Sequence, residues 1–287
     1  MHFIPQQVSL LQRNLARFRR RRARPDPRRD IPCRLDTEFK SLGENAIDQQ
    51  DLGAAARMIS RPSLSELYAG PRPFQMHRWH HYIPIYERHF ARFRNCPINL
   101  LEIGVQGGGG LYMWHRYFHP QSAIHGVDIN PNCTVPQFYN VRATIGDQAN
   151  PALWAELLPK LGKLDIVIDD GGHTMHQQIA SFEMIYHTMA DDGVYLVEDT
   201  HTTLFGGDFH DRTDGYTWMQ KAHADTLRLM EWSGRPANFG TLMHNPHALD
   251  EDSNVSEFCR TTQGIHFYDS IVVYERGPRN APGHELR

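Results

Sequence analysis

Between Ile98 and Glu198, short runs rich in Val, Ile and Leu alternate with stretches of helical spacing, and this alternation constrains the fold more than any other feature of the sequence. It predicts strands over Ile98–Ile103, Ala123–Asp128, Val141–Ile145, Leu164–Asp169 and Gly193–Glu198. Helices are expected from the glycine run to Tyr117, over Pro151–Leu161 and over Met175–Met189. Such a chain builds a Rossmann-like α/β fold, a doubly wound and mostly parallel sheet whose ligands sit at the carboxyl ends of the strands. Gly264–Glu275 reads as two further strands joined around Asp269, a C-terminal antiparallel hairpin at the sheet edge. Ahead of the sheet, Tyr82, Ile85, Tyr86, His89, Phe90 and Phe93 carry the spacing of one apolar helix face.

With 287 residues, 40% of them apolar and 22% charged, the chain has room for one good-sized core and an extension, not for two full domains. The charge is unevenly spread: the first 34 residues hold ten arginines and only the acids Asp26 and Asp30. We therefore expect a basic N-terminal extension and linker, residues 1–57, followed by an α/β catalytic domain, residues 58–287. Val8–Arg24 sets Leu10, Leu11, Leu15 and Phe18 among arginines; it reads as a solvated arm, with weak contact to an anionic membrane surface as the other reading. Cys33, Cys96, Cys133 and Cys259 are scattered and form no CxxC pair, which argues against a zinc ribbon or a disulfide framework and fits a cytoplasmic protein. No run of 18 apolar residues occurs and no continuous hydrophobic stretch opens the chain, so neither a spanning helix nor a secretory signal is expected. The predicted core lacks a basic patch with interleaved aromatics, and nucleic acid is not an expected partner.

The first predicted strand runs into Glu102-Ile103-Gly104-Val105-Gln106-Gly107-Gly108-Gly109-Gly110, where backbone amides at a helix start can approach a ligand closely. Gly104, Gly107 and Gly110 do not make GxGxxG, and Glu102 would repel a pyrophosphate while suiting a cationic amino-acid group. That favours S-adenosylmethionine over a dinucleotide. Asp128, 26 residues after Glu102 at the end of the next strand, suits ribose hydroxyls in either kind of enzyme. Gly146-Asp147-Gln148 follows the third strand, where it suits the adenine or simply forms a polar turn. Glu102, Gly104, Gly107, Asp128, Gly146, Asp147 and Asp169 are the candidate cofactor residues.

Strand four ends in Asp169-Asp170-Gly171-Gly172-His173 and strand five in Glu198-Asp199-Thr200-His201. These strands are neighbours in this fold, so Asp170, Glu198 and Asp199 can converge on one hard cation such as Mg²⁺. Any one of them alone is as readily a helix cap. His173 is placed to take a proton from a hydroxyl at that site, with His176 as the competing base. The expected chemistry is methyl transfer to a hydroxyl oxygen. His173, His176 and Asp170 also leave open, by composition, the two-histidine, one-carboxylate iron site of a hydroxylase.

At LLEIGVQGG (Leu100 to Gly108), GVDI (Gly126 to Ile129), IDDGGH (Ile168 to His173), VEDTHT (Val197 to Thr202) and HFYDSIVVYE (His266 to Glu275), the chain resembles the metal-dependent sugar O-methyltransferases of macrolide biosynthesis and the related cephalosporin hydroxylase family. The resemblance spans roughly Met76 to Arg276. It implies an S-adenosylmethionine-dependent O-methyltransferase with Asp170, Glu198 and Asp199 as magnesium ligands, His173 as base, a glycosylated small-molecule acceptor and a homo-oligomeric assembly. A catechol or polyphenol acceptor is the nearest alternative. The macrolide enzymes carry a larger N-terminal domain, whereas about 75 residues precede the matching region here, so acceptor recognition does not carry across. In its place His77-Arg78-Trp79-His80-His81-Tyr82 is a candidate lid over the cofactor, and Phe205, Phe209, Tyr216 and Trp218 are candidate stacking partners for the acceptor.

Overall fold

A computed structural model describes residues 61–210, 213–233 and 255–282. The basic extension assigned to residues 1–57, including Val8–Arg24, lies outside the described residues, as does most of the stretch between Trp232 and Glu257. Two short helices come first, α1 (Leu64–Ala69) and α2 (Tyr82–Phe90). Then follow β1 (Asn99–Ile103), α3 (Gly109–Tyr117), β2 (Ala123–Asp128), β3 (Val141–Ile145), α4 (Pro151–Leu161), β4 (Ile166–Asp169), α5 (Met175–Ile185) and β5 (Val194–Val197). The described residues close with α6 (Trp218–Arg228), α7 (Glu257–Thr261), β6 (Thr262–Tyr268) and β7 (Ile271–Arg276).

The seven strands form one sheet in the order β3-β2-β1-β4-β5-β7-β6. The first five pair in parallel, while β7 runs antiparallel to both β5 and β6. This is the expected mixed sheet, with one refinement. The hairpin extends the sheet past β5, and its second strand, not its first, pairs with β5, so β6 is the edge. The order reverses between β1 and β4, the switch point where open α/β sheets bind ligands.

Both faces of the sheet are covered because successive side chains point to opposite sides. Leu100, Ile124, Ile166, Ile168, Leu196 and Val273 pack with Tyr86 and Phe90 of α2 and Trp114 of α3. Leu101, Val127, Val167, Tyr195, Val197 and Tyr274 pack with Trp154 of α4, Phe182 of α5 and Trp218 of α6. Helix starts are fixed by short polar side chains: Asn150 accepts from Ala152 N ahead of Pro151, and Thr174 accepts from Gln177 N at α5. That second cap sets the loop from Asp170 to Thr174, and with it the direction of His173.

Candidate active site

The loops after β1, β4 and β5 are tied to one another through the backbone. Asp170 N donates to Ile103 O and Glu198 N donates to Asp169 O, each at 2.9 Å. Gly104 adopts φ +93°, and a Cβ added there would stand 1.9 Å from Asp170 O, so only glycine lets the first loop lie this close to the fourth. A cavity of about 350 Å³ opens at this junction, bounded by Gly104 to Gln106, Asp128 to Asn130, Gly146, Gln148, Asp170 to His173 and Asp199.

At the cofactor end, Asp128 Oδ2 accepts from Val105 N and Gln106 N, both at 2.8 Å, and Oδ1 accepts from Asn130 N at 2.8 Å. The carboxylate thus shapes the glycine loop while facing the cavity. Gly146 lines the same wall. Four other candidates do not border the cavity: Glu102, buried behind it against Arg78 and Trp114, and Gly107, Asp147 and Asp169. Gly107 abuts Gln75, whose Cβ would lie 2.6 Å from an added one. Asp147 caps its own turn through Ala149 N. Asp169 is fully buried behind the loop, accepting from Ser181 Oγ at 2.6 Å and from Gln148 Nε2 at 2.9 Å. Gln148, the last residue of the Gly146-Asp147-Gln148 stretch, holds Asp169 on one side and Gly172 N on the other.

At the acid end, Asp170, His173 and Asp199 each present one ligand atom within 4.8 Å of the others. His173 Nε2 lies 3.4 Å from Asp199 Oδ2 and 3.9 Å from Asp170 Oδ1. His173 and Asp199 both adopt left-handed backbone, φ 56° and 51°, a conformation that costs energy for residues other than glycine and collects at functional sites. His176 is not part of this group, so one imidazole and two carboxylates converge rather than two imidazoles and one carboxylate. His201 stands just outside, its Nδ1 4.0 Å from Asp199. Glu198 points the other way: its Oε1 accepts from Tyr86 OH at 2.7 Å and its side chain is 1% exposed.

Arg78 joins the two ends. Its guanidinium donates to Glu102 Oε1 at 2.5 Å and to Asp170 Oδ2, and its Nε lies 3.7 Å from Glu198 Oε2. Trp114 Nε1 also donates to Glu102 Oε1, at 3.0 Å, and Tyr82 OH donates to Asp199 at 2.5 Å. Of the segment His77 to Tyr82, only His77 and Arg78 line the cavity, next to Met76. Only its arginine, unusual in an aromatic run, signalled an acid partner in the sequence.

Three carboxylates, Glu102, Asp170 and Glu198, therefore surround one guanidinium, and Asp199 adds a fourth acid beside His173. Burial pushes the Glu102 carboxyl up to about 7, with Asp170 adding to the rise and Arg78 opposing it. Burial likewise raises Asp170 and carries Glu198 well above the carboxylate range, against the pull of Arg78 in both cases. Glu102 Oε2 and His173 Nδ1 are buried without a hydrogen-bond partner. Surplus negative charge, oxygen donors and orphaned buried atoms fit a divalent cation beside Asp170 and Asp199 and a cationic ligand group beside Glu102.

Rings continue outward from Asp199. Trp79 meets His201 edge-on at 6.2 Å, His201 meets Phe205 at 5.3 Å and Phe205 meets Phe209 at 5.5 Å. Trp79, Leu204, Phe205 and Tyr216 are exposed, whereas Trp218 is buried in the core and cannot stack on a ligand.

No family model matches the chain. It is 32% identical over 218 residues to the 8-demethyl-8-(2-methoxy-alpha-L-rhamnosyl)-tetracenomycin-C 3'-O-methyltransferase of Streptomyces olivaceus, a match covering 71% of this chain and 51% of the relative. The mycinamicin VI 2''-O-methyltransferase of Micromonospora griseorubida is 30% identical over 233 residues, covering 78% of this chain and 54% of that one. The chain spans about half the length of the curated relatives it matches. Among solved structures, the MycE methyltransferase from the mycinamycin biosynthetic pathway, in complex with Mg and SAH, superposes with a TM-score of 0.59 at 26% identity, over 76% of this chain and 55% of that one. The homologues of this chain are thus sugar O-methyltransferases of the mycinamicin VI 2''-O-methyltransferase type, and its sheet has their fold.

Proposed function

We propose that this chain transfers a methyl group from S-adenosylmethionine to a hydroxyl on the sugar of a glycosylated natural product, with Mg²⁺ assisting. The observation that carries the reading is the convergence of Asp170, Asp199 and His173 beside a cavity walled by Gly104, Asp128 and Gly146. When bound, the cofactor supplies an electrophilic methyl and the cation lowers the pKa of a hydroxyl. Asp128 would receive the ribose hydroxyls, and Glu102 the cationic amino group, in place of Arg78. Asp170 and Asp199 would hold the cation. Glu198, the third proposed ligand, is held by Tyr86 and lies beside Arg78, and it joins only once Arg78 withdraws. His173 takes the hydroxyl proton, Nε2 being the ring atom that faces the two acids. The exposed Trp79 and Phe205 favour an acceptor with an apolar body attached to its sugar.

We further place the protein in the cytoplasm, in keeping with the free thiols Cys133 and Cys259, and as a homo-oligomer. Among the described residues, no helix is long and apolar enough to cross a membrane. The test incubates the purified chain with methyl-labelled S-adenosylmethionine and a panel of macrolide, anthracyclic and phenolic glycosides, with magnesium or with chelator. Label on a sugar oxygen that disappears with chelator is the expected result. Label confined to catechols would replace the acceptor class, and tight cofactor binding with no turnover on any acceptor would overturn the enzyme reading.

A further inference from the structure

The terminal motif, His266 to Glu275, contains two residues that methyl transfer does not use. In the β6–β7 register Gly264 stands opposite Glu275, and His266 follows two residues later on the same face. His89 of α2 packs onto that face. Its Nδ1 lies 2.9 Å from Glu275 Oε1, while His266 Nε2 lies 3.2 Å from Glu275 Oε2. Tyr268 OH, also on this face, is 2.9 Å from His89 Nε2. One ligand atom from each of His89, His266 and Glu275 lies within 4.8 Å of the others.

We propose that His89, His266 and Glu275 form a second cation site, for a zinc-class divalent ion, separate from the acid site beside the cavity. Two imidazoles and one carboxylate are the donor set of a borderline cation, where Mg²⁺ prefers oxygen alone. His89 Nδ1 and His266 Nε2 each face a different oxygen of the one carboxylate, at 2.9 and 3.2 Å, so all three side chains turn toward one point. Tyr268 OH can accept Nε2–H of His89, which fixes the tautomer whose Nδ1 lone pair faces the ion. Gly264 keeps the space open, because an added Cβ already comes within 3.5 Å of His266 Nε2 and a larger side chain would occupy it. His89 is only 2% exposed, but His266 is one-third open and provides the entry path and room for a water ligand. Without an ion the tautomer reverses: Nδ1–H of His89 donates to Glu275 and Tyr268 donates to Nε2.

The site would tie α2 to the hairpin whose turn borders the acids. Ser270 O accepts from Thr200 N, and Asp269 O accepts from His81 Nε2. Cobalt(II), which reports nitrogen-rich four- or five-coordination by its visible absorption, is titrated into the full chain in excess magnesium. We expect one saturable equivalent with an intense visible band, displaced by zinc and unchanged in Asp170→Asn. The band disappears in His89→Gln and in the better-tolerated His266→Gln, and Tyr268→Phe weakens binding roughly tenfold to a hundredfold. Absence of the band in the parent chain overturns the proposal, and so does a band that survives His266→Gln, whether or not it needs Asp170. Neither outcome depends on methyl transfer.

Discussion

The two ends of the cavity are built differently. Around Gly104 and Asp128, the backbone makes the site: a left-handed glycine, amides gathered on one carboxylate and parallel strand ends in fixed register. Around Asp170, Glu198 and Asp199, side-chain charge makes it, and Arg78 with the phenols of Tyr82 and Tyr86 balances that charge only in part. The first end is complete without a ligand. The second is a set of buried and half-buried acids that an added cation stabilises.

The largest expected effect of breaking this contrast is Asp170→Asn. It should lower methyl transfer about a thousandfold, the several kcal/mol a metal supplies, while isothermal titration still finds S-adenosylmethionine binding. Retained magnesium-dependent turnover would assign the ion elsewhere. Next comes His173→Gln, expected to lose roughly a hundredfold or more in kcat with little change in cofactor affinity, and to regain rate as pH rises and hydroxide replaces the base. A larger loss in His176→Gln would transfer the role. Gly104→Ala attacks the other end, where the clash with Asp170 O and the positive φ should cost about 3 kcal/mol of stability, read by denaturant unfolding. Magnesium should not restore it.

Arg78→Met sharpens the comparison. It leaves buried acids unpaired, and melting should drop in chelator but recover substantially in magnesium, because the ion replaces the lost charge. Equal loss with and without magnesium would make Arg78 a plain structural residue. The smallest effect concerns pH. Since burial raises Glu102 from 4.5 to about 7, the folded state binds its proton more tightly than the unfolded chain does. Its contribution is therefore most favourable below about 4.5 and is lost as pH rises through about 7. Chelated protein should lose stability across that window, and Glu102→Gln should flatten the slope.

The same contrast governs what could be read from the sequence. Strand ends at Asp128 and Ile145 and the helix Pro151–Leu161 fall where predicted, because β-branched runs, a helix cap and proline are local signals. The predicted strands from Leu164 and Gly193 each begin later, since Leu164 O and Gly193 N bond to Ala190 in the intervening turn. α6 was not anticipated. Its buried face includes Lys221 and Asp225, joined at 2.8 Å, and a polar pair in the core erases the apolar period. Among the site residues, convergence of Asp170 with Asp199 followed from strand order alone. The side of a turn that Gly107 or Asp147 faces does not follow from spacing. Nor does the reach of Arg78 to an acid 92 positions away, which only tertiary packing creates.

β7, entirely buried between β5 and β6, is the last strand of the sheet in sequence. Synthesis therefore delivers an interior strand after its neighbours on both sides. Until residues 271–276 emerge, β5 presents an open edge and β6 has no partner, the kind of unpaired backbone through which chains associate wrongly. The nascent chain must hold a half-closed sheet until that insertion occurs, so folding of the domain waits on its far end.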